Sequence, residues 1–256
     1  MVALLLVWRV LFEKKTGAFM EPLFKALIFS ILAGITIPLG ALLAKIERIR
    51  PNWLEQEFRH SVIALGGGVL LAAVALVLVP EGIKRLDPIL VMLAFGGGGF
   101  LFFLTDRWLA RMGGNASQLM AMLLDFVPEA IALGALMAEG GNSGLLLAIL
   151  IGLQNFPEGF NAYRELMFGG LFKSRSILVA FSGLVLLGPV AVFLGMEYGS
   201  SSPSAMGVIM LAASGGILYL TFQDIAPQAK LDRAWAPPLG AVAGFMVGLL
   251  GHMLVG

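Results

Sequence analysis

Residues 145–168 read LLLAILIGLQNFPEGFNAYRELMF. This stretch is long enough to cross a bilayer as a helix, which takes about 20 mostly apolar residues. It nevertheless carries Gln154, Asn155 and Glu158 near its middle. A carboxylate at that depth costs several kcal/mol unless it is paired, protonated or bound to a cation. The stretch therefore predicts a membrane helix with a functional polar centre.

The composition of the whole chain agrees with a membrane protein. Of its 256 residues 59% are hydrophobic and 13% are charged, whereas soluble domains carry about 25% charged residues. The mean hydropathy is +0.92. The net charge of +1 gives no field that would attract nucleic acid, so no nucleic-acid partner is expected. The absence of cysteine excludes disulfides and thiolate metal ligands.

Eight segments are predicted to span the membrane, which makes the lipid bilayer the surroundings of this chain. They are Leu23–Leu43, Ser61–Val79, Pro88–Leu104, Ala116–Ala138, Leu145–Phe168, Ile177–Gly195, Ala205–Phe222 and Pro238–Val255. Residues 1–22 begin with an apolar run that is too short to span, so we expect an interfacial segment there. Residues 1–256 are predicted to form one all-α transmembrane domain, with helices one to three in 23–104, helices four and five in 116–168, and helices six to eight in 177–255.

Two pairs of segments show internal similarity. The fourth and fifth predicted spans share the pattern polar-x-x-Pro-Glu, as DFVPE at 125–129 and QNFPE at 154–158. The second span, GGGVLLAAVALVLVPEG at 66–82, resembles the seventh, SGGILYLTFQDIAPQA at 214–229. Such similarity predicts a 3+2+3 inverted repeat, a design in which transporters hold their substrate near the midplane.

The Lys and Arg residues predict the orientation of the chain. The loops after spans one, three, five and seven, with the adjoining span ends, hold eleven of them, and the opposite side holds six. Because Lys and Arg are enriched on the cytoplasmic side, both termini are expected outside. We expect a multi-pass protein of the cell membrane, in a prokaryotic inner or plasma membrane.

The polar residues of the fourth and fifth spans predict a metal site. Asp125 and Glu129 are four residues apart and share a helix face, as do Gln154 and Glu158, with Asn155 beside them. If the two helices cross near Pro128 and Pro157, five oxygen-bearing side chains converge. Three carboxylates at close range repel one another, and a divalent cation would relieve that repulsion. The alternative is a set of neutral carboxylic acids that pin neighbouring helices together.

Further polar residues predict a path leading away from this site. Asn161 and Glu165 continue the face of Gln154 and Glu158, and Gln118 continues the face of Asp125. Asp224, near the end of the seventh span, is a further candidate for ion entry or exit. The alternative for Asn161 and Glu165 is a helix end that approaches water.

These residues resemble a known family. IGLQNFPEGFNA at 151–162 resembles the fifth helix of the ZIP divalent metal transporters, particularly their GufA-like branch, and LLDFVPEAIALG at 123–134 resembles the fourth helix. The resemblance implies a binuclear metal site between helices four and five and an elevator-like movement of part of the bundle. It also implies that Glu129, Gln154, Asn155 and Glu158 are metal ligands.

The sequence departs from the family pattern at four positions. Asp125 stands in the place of a histidine and Phe126 in that of an asparagine, while Leu186 and Leu70 replace a ligand glutamate and a methionine. We therefore expect one metal rather than two. An all-oxygen site favours Mn²⁺ or Fe²⁺, with Zn²⁺ less strongly preferred than in a site with imidazole.

Three functions are compatible with this pattern. The first is transmembrane transport of Mn²⁺, Fe²⁺ or Zn²⁺, with the metal as substrate, no prosthetic group and no enzymatic activity. The second is a metal-binding scaffold or sensor that no longer transports. The third is a membrane enzyme in which Asp125 and Glu129 hold Mg²⁺ for a diphosphate, but no second acidic motif supports it. The glycine-rich helix faces would permit a homodimer.

Overall fold

A computed structural model describes residues 2–47, 52–112, 117–170, 172–199, 201–232 and 234–255, with side chains except those of residues 2–19, 52–55, 112 and 117–121. Every secondary-structure element in these ranges is a helix. Helices are what long apolar segments require, because a helix pairs its backbone N–H and C=O groups internally where no water can.

The helices follow one another with short connections. In chain order they are α1 (Val2–Ile46), α2 (Asn52–Ala73), a π-helical segment (Val74–Leu78), α3 (Val79–Ile83), α4 (Pro88–Met112), α5 (Ser117–Glu139), α6 (Ser143–Phe168), α7 (Ser174–Leu184), α8 (Leu187–Gly199), α9 (Pro203–Leu220), a second π-helical segment (Thr221–Ile225), α10 (Ala226–Ala229) and α11 (Pro237–Val255).

Within the described ranges, six helical stretches are long and apolar enough to cross a membrane. They are Met20–Ile46, Gln56–Ile83, Pro88–Arg111, Ser174–Gly199, Pro203–Ala229 and Pro237–Val255. These stretches correspond to six of the eight predicted spans. The other two predicted spans are α5 and α6, the helices that carry the acidic and amide side chains of the predicted site.

The first predicted span is part of a longer helix. α1 runs without a break from Val2 to Ile46, so the backbone of residues 2–22 continues the helix of Leu23–Leu43. The sequence analysis treated residues 1–22 as a separate segment, because their apolar run is too short to span a membrane. The placement of this segment at a membrane interface stays a prediction, since it depends on side chains outside those described.

Two predicted spans contain π-helical segments that the sequence analysis missed. In the second span the N–H of Val79 donates to the carbonyl of Val74, five residues earlier. In the seventh span the N–H of Ala226 donates to the carbonyl of Thr221 in the same way. Each segment ends two residues before a proline, Pro80 or Pro227. Proline donates no backbone N–H, so the hydrogen-bond register changes at little additional cost beside it.

The sixth predicted span is interrupted. The sequence analysis expected one helix over Ile177–Gly195, but α7 ends at Leu184 and α8 begins at Leu187. The Leu186 N–H donates to the carbonyl of Gly183, which forms a tight turn between the two helices. Pro189 lies in the first turn of α8, where backbone N–H groups have no partner within the helix. The missing N–H of proline therefore costs the helix no hydrogen bond.

Glycines allow four helix pairs to pack at backbone contact. In each pair, a glycine of one helix faces a backbone carbonyl of the other helix, and the reverse also holds. The pairs are Gly40 with Gly159 for α1 and α6, Gly134 with Gly195 for α5 and α8, Gly68 with Gly244 for α2 and α11, and Gly98 with Gly215 for α4 and α9. A Cβ at any of these positions would clash with the facing backbone, so small residues fix these crossings.

These contacts divide the helices into two groups. The first group contains α1, α5, α6, α7 and α8, and the second contains α2, α3, α4, α9, α10 and α11. The groups meet where α2 packs on α6 and where α5 packs on α9. The largest apolar core lies across this boundary, with Leu70 and Met210 of the second group against Leu133 and Ile151 of the first. Two residues of the predicted metal site, Asp125 and Glu158, line a cavity at the same boundary.

Candidate metal site

The five predicted ligands lie on two helices in direct contact. Asp125 and Glu129 are on α5, and Gln154, Asn155 and Glu158 are on α6. Glu129, Gln154 and Asn155 are 0% exposed, and Asp125 is 6% exposed. Glu158 is partly exposed as a residue, but both of its carboxylate oxygens are buried. The polar groups therefore lie where water cannot freely solvate them.

A hydrogen bond joins the two helices at the centre of this cluster. Gln154 donates through Nε2 to Glu129 Oε2 at 2.5 Å. A carboxylate offers only acceptors, so the amide nitrogen must face it. This arrangement directs Gln154 Oε1 away from the bond, and that oxygen is buried without a partner.

Asn155 is oriented by a different neighbour with the same result. Its Nδ2 donates to the backbone carbonyl of Ala33 in α1 at 3.1 Å. The hydroxyl of Thr36 donates to the same carbonyl at 2.7 Å. A carbonyl accepts and cannot donate, so the amide nitrogen of Asn155 must face Ala33 and its Oδ1 faces away. That Oδ1 is also buried without a partner.

The unpartnered atoms of the cluster share one chemical property. They are Glu129 Oε1, Gln154 Oε1, Asn155 Oδ1 and both carboxylate oxygens of Glu158. All are oxygens, and all except those of a protonated acid can only accept. A buried acceptor without a donor costs about 1–3 kcal/mol, and more when charged. The cluster therefore requires protons, water or a cation.

Asp125 and Glu158 line a cavity of about 50 Å³ between the two helix groups. One water needs roughly 10–15 Å³ of such space, so the cavity has room for a few waters or for an ion that keeps part of its water shell. The other polar lining residues are Asn161, Asp224 and Gln228, among apolar side chains and glycines. Asp125 also accepts the Phe126 N–H through Oδ1 at 2.8 Å. We call this space the inner cavity.

The carboxylates influence one another but do not form a finished metal cage. If ionised, the neighbouring carboxylates of Asp125, Glu129 and Glu158 would repel one another. Among the described residues, no three Asp, Glu, His or Cys side chains are grouped closely enough to hold a metal ion. Amide oxygens or water would therefore have to complete the coordination of any ion bound here.

Three of the four predicted pathway residues line one of two cavities that share part of their lining. Asn161 and Asp224 line the inner cavity. Glu165 lines a second cavity of about 420 Å³, together with Arg59, Arg164 and Phe168, at the end where α6 terminates. We call this second space the mouth. The side chain of Gln118 lies outside those described.

Gln228 is a residue that the sequence analysis did not select. It lies on α10 and accepts a hydrogen bond through Oε1 from Asn161 Nδ2 at 3.2 Å. The proline-polar pattern at 227–228 was visible in the sequence, but the π-helical segment that directly precedes α10 changes the direction in which its side chains point. A register change of that kind follows from packing and is not encoded in local hydrophobicity.

At the opposite end of α6, charged groups tie the two helix groups together. Arg85 Nη2 donates to both carboxylate oxygens of Glu139, at 2.7 and 2.6 Å. Glu81 accepts from Ser143 Oγ at 2.9 Å and pairs with Lys84. The Arg85 side chain is only 8% exposed. This network joins the end of the second span to the turn between α5 and α6.

The positions that depart from the family pattern differ in their surroundings. Phe126 and Leu70 are each 1% exposed and belong to the apolar core. Leu186 is 70% exposed and lies in the turn between α7 and α8. None of these three side chains contains an oxygen. The described side-chain oxygens that could bind a metal therefore lie on α5 and α6 and in the lining of the inner cavity.

In comparisons with known proteins, no family model matches this sequence and no curated protein matches it either. The function must therefore be inferred from the residues of the site.

Proposed function

We propose that this protein transports a divalent metal cation, Mn²⁺, Fe²⁺ or Zn²⁺, across the cell membrane through the cluster between α5 and α6. The metal is the substrate, and no enzymatic step or prosthetic group is involved. The proposal also rests on the resemblance of residues 151–162 and 123–134 to the ZIP transporters.

One observation carries the proposal: each amide of the cluster uses its N–H group on a single acceptor and leaves its oxygen buried without a donor. Gln154 donates to Glu129 and Asn155 donates to Ala33. Side chains that served only to satisfy the carboxylates of Glu129 and Glu158 would instead direct N–H groups towards all four oxygens. An accumulation of acceptors in a buried place suits a hard cation, which prefers oxygen ligands.

The incomplete coordination suits a cargo better than a resident ion. A transported ion must leave its site, so binding that is tight and fully enclosed would slow its release. The described acidic side chains form no closed cage, while Asp125 and Glu158 face a cavity. With Asp125 in place of an imidazole, the site favours Mn²⁺ and Fe²⁺ more than a histidine site would.

We also propose eight spans in a 3+2+3 inverted repeat, with α5 and α6 as spans four and five. In such a repeat, span one corresponds to span six, span two to seven, span three to eight and span four to five. The contact of α1 (span one) with α6 (span five) then corresponds to the contact of α8 (span six) with α5 (span four). The α2–α11 contact corresponds in the same way to the α9–α4 contact. Gly68 and Gly215 each lie six residues before a π-helical segment, which supports this correspondence.

The two helix groups provide a physical basis for movement. Each group is held together internally by glycine crossings at backbone contact. The cluster belongs to the first group, and its members Asp125 and Glu158 line the cavity at the boundary with the second group. A rocking motion of one group against the other could therefore expose this side of the cluster in turn to either side of the membrane. With both termini outside, the mouth faces the cytoplasm and the Arg85–Glu139 network faces outward.

A scaffold or sensor that binds metal without transport is the second candidate. It is favoured by Leu186, which stands where the ZIP family has a ligand glutamate. Its side chain has no oxygen for the cluster and is exposed in the turn between α7 and α8. An Mg²⁺-dependent membrane enzyme is disfavoured. Arg164, a basic residue near the cluster that could hold a diphosphate, lies at the mouth and pairs with Glu47.

The deciding experiment is metal flux into proteoliposomes loaded with a fluorescent indicator. Mn²⁺, Fe²⁺, Zn²⁺, Co²⁺, Cd²⁺ and Mg²⁺ are offered in parallel, with Glu158→Ala as the inactive variant. Glu21→Gln is the matched control, since the Glu21 carboxylate is 73% exposed and pairs only with Lys25 among described residues. Saturable flux that Glu158→Ala abolishes and Glu21→Gln preserves supports transport. Metal binding without flux would favour the sensor.

A further inference from the structure

The inner cavity and the mouth are neighbouring spaces with a common wall. The inner cavity contains Asp125, Glu158 and Asp224. The mouth contains Arg59, Arg164 and Glu165. Among the described residues, Asn161 and Gln228 are the two that line both spaces. In the described part of the chain, the shortest connection between the two spaces therefore runs beside these two side chains.

The two wall residues are joined to each other. Asn161 Nδ2 donates to Gln228 Oε1 at 3.2 Å, and both side chains are partly buried. Asn161 belongs to α6 in the first helix group and Gln228 to α10 in the second. The hydrogen bond therefore spans the boundary between the groups. A relative movement of the groups would lengthen or break it.

Gln228 is held in place by the backbone around it. α10 contains four residues and follows the π-helical segment Thr221–Ile225 directly. Ala229 packs in a small apolar cluster with Ile63 and Ala64 of α2, which anchors the end of α10. The chain then turns into an extended conformation at Lys230. Gln228 is thus presented to the cavity from the last turn of the seventh predicted span.

We infer that the hydrogen-bonded pair Asn161–Gln228 is the constriction that separates the inner cavity from the mouth and controls passage between them. Opening requires the bond to break, which leaves Gln228 Oε1 and Asn161 Oδ1 as oxygen ligands for a passing cation. Amide oxygens are neutral, so they bind a cation less strongly than the carboxylates on either side. The consequence for metal flux rests on the proposed function, whereas the constriction itself does not.

Passage through the constriction is measurable without any metal, because the chain contains no cysteine. Met122 is 3% exposed and lines the inner cavity, so Met122→Cys reports access to that space. Phe168 is 96% exposed and lines the mouth, so Phe168→Cys reports access before the constriction. The rate of reaction with a small water-soluble thiol reagent is measured for each, in purified protein, with and without a change at Gln228.

Two changes at Gln228 are expected to act in opposite directions. Gln228→Ala removes the bond and opens the wall, so labelling of Met122→Cys should accelerate about three- to tenfold, the effect of losing one hydrogen bond. Gln228→Phe fills the gap, so the same labelling should slow. Labelling of Phe168→Cys should stay within about twofold in both, since the mouth is unchanged. Equal rates for Met122→Cys in all three backgrounds would refute the constriction, as would acceleration by both changes, which indicates general loosening.

The consequence for transport is tested with the same variants in the proteoliposome assay. Flux should rise with Gln228→Ala and fall with Gln228→Phe. Opposite effects on labelling with no effect on flux would show that the cation leaves by another route. Absence of flux in the unmodified protein would contradict the proposed function, and the labelling result would still decide the constriction.

Discussion

Gln154 and Glu129 face each other across the contact of α5 and α6, with Gln154 Nε2 2.5 Å from Glu129 Oε2. The bond fixes which end of the amide faces the carboxylate. It leaves one oxygen of each side chain buried and without a donor. Apolar contacts could join α5 and α6 without leaving buried oxygens unpartnered. Under the proposed function, the bond therefore serves to position the oxygens that bind the metal.

Neutralising one carboxylate should separate stability from function. Glu158→Gln replaces an acid whose two carboxyl oxygens are buried without a donor, and it supplies an N–H group. The metal-free protein should therefore unfold at a higher temperature, with a gain of about 1 kcal/mol or more. Thermal unfolding in detergent with chelator measures this, and Glu21→Gln serves as the control. A loss of stability would show that Glu158 has donors in the folded protein.

Metal should stabilise the unmodified protein through the same cluster. A ligand at 100 times its dissociation constant stabilises by about 2.7 kcal/mol. A titration of Mn²⁺ should therefore raise the unfolding temperature steadily, and Glu158→Gln should remove this rise. Glu129→Gln should do the same, because Glu129 Oε1 is one of the unpartnered oxygens. An undiminished rise in both variants would place the metal elsewhere in the chain.

Much of the site could be predicted from the sequence, since it depends on residue type and helical spacing. Glu129 and Gln154 were selected because polar side chains in the middle of apolar segments need partners. The direction of the Asn155 amide could not be predicted, because its acceptor is the Ala33 carbonyl of a helix more than a hundred residues earlier. Gln228 was missed for a related reason, since its position depends on the π-helical segment before it.

The glycine run at 96–99 offers an internal comparison of packing. A Cβ at Gly98 would clash with the backbone of Ala212, whereas a Cβ at Gly97 would meet nothing within 4 Å. Gly98→Ala should therefore destabilise the protein by about 1–3 kcal/mol through overpacking. Gly97→Ala should be neutral or slightly stabilising, because alanine favours helix over glycine. Unfolding temperatures of the two variants measure the difference, and equal values would refute the α4–α9 contact.

The run also shows where sequence reasoning about helix packing ends. The sequence analysis considered the glycine-rich helix faces as surfaces that would permit a homodimer. Within the chain, Gly98 lies against the backbone of α9, whereas Gly96 and Gly97 face open space. Adjacent residues of a helix point in directions about 100° apart, so a run of identical residues does not reveal which of them faces a neighbour.

The Arg85–Glu139 pair should contribute more to stability than a surface pair. Arg85 is 8% exposed at its side chain and Glu139 is 48% exposed. We expect a coupling energy of about 1–2 kcal/mol, between the values for exposed and buried pairs. A double-mutant cycle with Arg85→Met and Glu139→Gln measures it. The cycle Lys25→Met with Glu21→Gln is the control, because both of those side chains are more than half exposed. Equal coupling in the two cycles would contradict the expectation.

Asp125 should determine which metal the site prefers. It lines the inner cavity together with Glu158. It also stands where the ZIP family, which this sequence resembles, has a histidine. Replacing its carboxylate by imidazole should favour Zn²⁺, since imidazole suits zinc while oxygen ligands suit manganese. Asp125→His is therefore expected to raise the ratio of Zn²⁺ to Mn²⁺ flux about tenfold, which corresponds to roughly 1.4 kcal/mol of relative affinity.

The control for this exchange is Asp125→Asn, which removes the charge but keeps the shape and an oxygen. It should lower the flux of both metals with little change in their ratio, because a neutral oxygen remains in the place of a carboxylate oxygen. Parallel flux measurements with Zn²⁺ and Mn²⁺ in the three proteins decide the outcome. If Asp125→His leaves the ratio unchanged, Asp125 contacts the cation only through water, and selectivity is determined deeper in the cluster by Glu129, Gln154 and Asn155.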